Sequence, residues 1–146
     1  MNWKLDLRSC WSSLALFFLL GVVACERPMT IAVTKDSNPP SFRLSGSGRL
    51  VFLAVSEVLP NKTPSLDDPV LWKIKPTEEN LISSLPEITY GVVPPGFTQT
   101  APTNGTPQPL LEGRLYEIGG PAFDADGGWI RFTIKDGKAI VESYGR

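Results

Sequence analysis

From Thr30 onward the apolar residues of this chain recur at every second position, and no helix-length window holds a 3.6-residue period. That alternation marks strands with one face turned inward, and it confines the chain to sheet. Ile31 and Val33 alternate in TIAVT, and Phe42 and Leu44 in SFRLS. In VLWKIKP, Val70, Trp72 and Ile74 face one way and Leu71, Lys73 and Lys75 the other. Near the end, Ile130, Phe132 and Ile134 alternate with Trp129, Arg131 and Thr133. RLVFLAVSEV is apolar on both faces, with Leu50 and Phe52 on one and Val51, Leu53 and Val55 on the other. It is expected to be a central strand, or one covered on its outer face by a loop.

ITYGVVP, LLEGRLYEI and KAIVE complete a set of about eight short strands, and EENLISSLPE offers at most one helical turn led by Thr77. Ser45-Gly46-Ser47-Gly48 supplies turn residues, and Asp136-Gly137 is a two-residue hairpin signal. The spacing predicts an all-β fold, a two-layer antiparallel β-sandwich of immunoglobulin-like or transthyretin-like type, over residues 31–146. The Cys-Trp-Cys pattern of true immunoglobulin domains is missing. From Pro94 to Pro109 the segment PPGFTQTAPTNGTPQP holds five prolines, too many for a sheet interior, and is expected to be a long surface connection.

The first residues follow a different logic. Lys4 and Arg8 precede an apolar run from Trp11 to Val23, then Ala24 and Cys25. This is the layout of a secretory signal peptide, and the run falls short of the roughly 20 residues that span a bilayer. Val22-Val23-Ala24-Cys25 resembles the lipobox of bacterial lipoproteins. The resemblance implies that residues 1–24 are removed and that the Cys25 thiol carries diacylglyceryl. It also implies a place on the cell envelope, and Glu26, where Asp would favour inner-membrane retention, leans toward the outer membrane of a Gram-negative cell. Residues 25–30 become a short lipidated tether. Glu26 to Thr30 reach no more than about 18 Å when extended, which holds the domain against the membrane surface. The competing reading is ordinary secretion after Ala24, which leaves Cys25 a lone thiol in an oxidising compartment.

Composition excludes more than it assigns. There is no histidine, which removes Ser-His-Asp and Cys-His nucleophilic sites and imidazole metal ligation. The only cysteines are Cys10 and Cys25, so a mature domain has no internal disulfide. Fourteen Lys+Arg stand against fifteen Asp+Glu, and loss of Lys4, Arg8 and Asp6 with the leader leaves no basic excess to recruit nucleic acid.

Few side chains point to chemistry. Asp124 and Asp126 before Gly127-Gly128 resemble a fragment of a calcium loop, but the same residues suit a tight turn. Asp67, Asp68, Glu78, Glu79, Glu112 and Glu117 could supply a glycosidase pair, and nothing in their surroundings selects two of them. Ser45 and Ser47 read as turn residues. Trp129, on the polar face of its strand beside Arg131, and Phe97, in the proline-rich loop, are the candidate partner-binding residues. The bland alternatives are cross-strand packing for Trp129 and a pin holding the loop for Phe97. Nothing calls for a cofactor. The expectation is a lipid-anchored envelope module, not an enzyme, that binds an envelope protein or a glycan. A glycan-directed enzyme or accessory domain and a structural envelope protein are the alternatives.

Overall fold

The computed structural model describes residues 26–59 and 69–145. The leader, Cys25, Asp67 and Asp68 lie outside the described residues. Eleven strands run in chain order through them: β1 (Thr30–Lys35), β2 (Ser41–Ser45), β3 (Arg49–Leu50), β4 (Leu53–Glu57), β5 (Val70–Pro76) and β6 (Ile88–Thr89), then β7 (Phe97–Ala101), β8 (Leu115–Gly120), β9 (Ala122–Phe123), β10 (Gly128–Lys135) and β11 (Lys138–Gly145). The only helical element among them is a 3-10 turn at Ile82–Ser84. The fold is all-β and sandwich-like. A six-stranded antiparallel sheet in the order β11-β10-β8-β4-β5-β7 is covered by a three-stranded sheet, β1-β2-β6, and β3 and β9 pair separately.

Three departures from the sequence reading raise eight strands to eleven. RLVFLAVSEV breaks at Val51 and Phe52 into β3 and β4, and Leu50, Leu53 and Val55 all reach the core. β9 is a two-residue partner for β3. The third lies in the proline-rich segment, which is not all loop: Phe97–Ala101 forms edge strand β7 against β5. The prolines flank that strand instead of interrupting it, so its ladder loses no donor.

The core lies between the layers. Phe42 of the small sheet meets Phe132 of the large one with ring centroids 5.5 Å apart, and Trp72 meets Tyr90 edge-on at 5.5 Å. Fully buried side chains of this kind contribute about 1.5–3 kcal/mol each, and Leu53, Val55, Ile74, Ile88, Tyr116, Ile118 and Ile134 are all buried. A bulge between Val55 and Ser56 in the β4–β5 pairing frees Val70 from the inward row, leaving it exposed while Trp72 and Ile74 stay buried.

Register sorts the loops into two ends. The β10–β11 turn, with Asp136 at φ 53° and Gly137 at φ 69°, marks one end. This is the doubly left-handed geometry of a two-residue hairpin. The 36–38 segment joins it there, since the Ala139 N–H donates to the Asp36 carbonyl. The opposite end gathers the start of β1, the end of β2, the end of β8, the start of β10 and the last residues of β11. The chain enters at this second end. Of the tether expected at 25–30, Arg27 donates its N–H to the Ser47 hydroxyl and accepts the Ser47 N–H, and the Met29 N–H donates to the Asp126 carbonyl at 2.9 Å with its side chain buried.

Candidate functional site

Alternation puts the odd-numbered residues of β10 on the outer face of the large sheet, and register then decides what stands beside them. Trp129 pairs with Gly119, Gly119 with Ala54, and Ala54 with Lys73. This row crosses four strands with a large side chain at each end and almost nothing between. With strands about 4.8 Å apart, its two walls are about 14 Å apart at the backbone. A second row runs Arg131, Glu117, Ser56 and Val70. The result is a groove of about 770 Å³ on the outer face, reaching from Ser56 and Glu117 to the Gly127-Gly128 edge.

The walls are held in place. The indole of Trp129 lies across Gly145 of β11, where an added Cβ would come within 2.3 Å of the ring. Arg131 stacks on it at 5.0 Å, and Arg131 Nε donates to Glu117 Oε2 at 2.9 Å. On the other side the Lys73 ammonium sits over the Phe52 ring at 3.8 Å. Such cation–π contacts contribute about 0.5–1 kcal/mol where exposed. At Gly119 a Cβ would lie 2.6 Å from that of Trp129, so only glycine lets the wall stand this close to the floor.

Trp129 and Arg131 therefore belong to one site, together with Glu117. Phe97 does not. The residue is 9% exposed and its side chain forms part of the core. The proline-rich loop is tied down by two other residues. Gln99 accepts from Trp72 Nε1 at 3.1 Å and donates to the carbonyls of Pro102 and Gly105, and the Tyr90 hydroxyl donates to the Gln108 carbonyl at 2.6 Å. Burial, then the neighbouring Tyr116, pushes the Tyr90 phenol up to about 12.

Asp124 and Asp126 are not brought together as ligands. The Asp124 carboxylate takes Arg49 Nη2 at 2.6 Å, while Asp126 uses its backbone carbonyl on Met29. Asp124 also adopts φ 60°, a turn conformation that Asp tolerates. Arg49 binds Glu79 as well, and the hydrogen bond it donates to Asp124, followed by the charge of Glu79, holds the guanidinium above its usual value. Among the described residues no group of three or more His, Cys, Asp or Glu could hold a metal ion. Glu112 is occupied in accepting the Gly137 N–H. Ser47 serves the stem, its hydroxyl accepting the Arg27 N–H. No helix among the described residues is long and apolar enough to cross a membrane.

The sequence reading missed Gly119, Ala54, Lys73 and Phe52. The paired glycines at 119–120 and 127–128 were the available signal, since both pairs border the groove. Comparison with protein-family models, with curated proteins and with solved structures gives no match to this chain.

Proposed function

We propose that this protein is a lipid-anchored module of the bacterial cell envelope that binds a glycan segment in the outer-face groove. The observation that carries the reading is the Trp129–Gly119–Ala54–Lys73 row, a small-residue floor between an aromatic wall and a cationic one. A sugar ring has an apolar face to set against the Trp129 wall and hydroxyls for Lys73, Glu117 and Ser56 to bond. Binding is favoured over catalysis because Glu117, the carboxylate in the floor, is already engaged by Arg131. The placement beside Arg27–Met29 supports an anchored role, since a lipid on Cys25 leaves the groove's glycine edge within a few residues of the membrane.

The test has two stages on natively expressed protein. Intact mass and membrane sedimentation, compared with Cys25→Ser, read the anchor: a diacylglyceryl mass and sedimentation lost in the variant are expected. Loss of the leader removes Trp3 and Trp11 and leaves Trp72 and Trp129, of which only Trp129 is solvent-accessible. Titration with soluble cell-wall disaccharides should therefore give a saturable change in tryptophan emission that Trp129→Phe abolishes. No response across the disaccharides would remove the glycan reading, and a response to short peptides alone would replace it with a protein partner.

A further inference from the structure

The stem end of the sandwich carries an exposed row that neither the core nor the groove uses. Leu81 bridges to Arg49, and Arg49 pairs with Phe123, all in antiparallel register. Residues paired in this way project to the same side of a sheet, so Leu81 and Phe123 flank Arg49. Both are 57% exposed. Tyr144, 83% exposed, lies at the same end, where β11 closes beside Trp129.

This row is joined to the entering chain by short links. The Ser47 N–H donates to the Arg27 carbonyl at 2.8 Å, and the Ile82 N–H donates to the Gly48 carbonyl at 3.0 Å. Residues 47–49 thus touch the stem on one side and Leu81 and Phe123 on the other. Cys25 is two residues before Arg27, a reach of about 7 Å when extended. A recess of about 530 Å³ beside the stem is lined by Arg27 and Arg43.

Resting on the anchored reading above, we infer that the stem end is a lipid-docking face, with Leu81 and Phe123 seated in the headgroup layer and Arg27 facing phosphates. Two apolar side chains add little affinity beside a double-chain anchor, but they fix which way the domain stands. Glu79 and Asp124 share the one guanidinium of Arg49 and Glu87 pairs with Arg43, so the contact rests on the two apolar side chains and the short link to the lipid more than on charge. Docked in this way, the domain keeps its 36–38 and 136–137 end away from the bilayer and the groove upright on its side.

The experiment uses the processed, lipidated protein, purified and reconstituted into vesicles of phosphatidylethanolamine and phosphatidylglycerol. Lipid blocks Cys25 and cleavage removes Cys10, so a single introduced thiol can be read with a membrane-impermeant maleimide. Leu81→Cys and Phe123→Cys should lose most of their labelling in vesicles and regain it in detergent, each measured against Val92→Cys. Val92 is equally exposed but lies beyond β6, at the far end. Equal labelling of all three variants in vesicles that still carry the protein would overturn the docking face and leave the anchor standing. Protection that persists in detergent would assign the cover to a second copy of the chain and overturn the lipid assignment. Failure of the protein to acquire diacylglyceryl or to float with vesicles would remove the anchor and the docking face together.

Discussion

On the inner face of the large sheet, Trp72, Val55, Ile118 and Ile130 form one row across β5, β4, β8 and β10; one residue along each strand, on the outer face, stand Lys73, Ala54, Gly119 and Trp129. The same four strands thus carry a filled row and a hollow one. Burial explains the first, since all four of its residues are removed from water against the small sheet. It does not explain the second. A face that only needs to be soluble takes Lys, Thr or Glu, as Thr133 and Lys135 do further along β10. Glycine and alanine weaken a strand there by about 0.5–1 kcal/mol or less and give no packing in return. Close packing against Trp129 accounts for the glycine, but not for the open floor between that wall and Lys73, and the open floor carries the functional reading.

The comparison can be broken at two adjacent residues of β8. Ile118→Ala removes buried volume beneath the filled row and should cost about 2–5 kcal/mol in denaturant unfolding. Gly119→Ala adds one carbon to the hollow row, 2.6 Å from Trp129 Cβ and 2.8 Å from the Gly128 carbonyl. It should cost about 1–3 kcal/mol through displacement of that wall. It should also shift Trp129 emission, which Ile118→Ala leaves in place. If Gly119→Ala folds as stably as wild type with unchanged emission, the close approach of wall and floor is not a constraint.

The filled row is half legible in the sequence: alternation alone places Trp72 and Ile130 inward, with Ile74, Phe132 and Ile134 beside them, whereas Val55 lies in a run apolar on both faces and Ile118 in a stretch without clear alternation. The hollow row is half legible too. Trp129 and Arg131 fell on the outer face by the same alternation, whereas Ala54, Lys73 and Phe52 join them only through the pairing of β4 with β5 and β8, which is long-range register. Val70 was misplaced for a related reason, since a bulge is set by the partner strand and leaves no mark in period two. In the 94–109 segment the proline count argues against sheet, but the spacing of the prolines leaves 97–101 free of them, and β5 supplies an edge to which that stretch adds. The leader and its cysteine rest on a local motif and lie outside the described residues.

Alkaline pH probes the inner face in a second way, because Tyr90 packs there against Trp72 and no tyrosine lines the groove among the described residues. Its phenol is pushed up from 10 to about 12 by burial and then by Tyr116. The folded state therefore holds the Tyr90 proton more tightly than the unfolded chain does. The stability tied to that proton is fully present below pH 10 and is lost as the pH rises from 10 through about 12. Tyr90→Phe removes the titration along with the hydrogen bond to the Gln108 carbonyl. The variant should be less stable than wild type by about 1 kcal/mol at neutral pH and should lose less stability than wild type between pH 10 and 12. Urea unfolding at stepped pH, followed by Trp72 emission in a Trp129→Phe background, reads both effects on the inner face alone. Parallel alkaline profiles for the two proteins would mean that Tyr90 ionises without opening the core, and that the 102–109 loop to which it donates can lift away from the sandwich while the filled row stays closed.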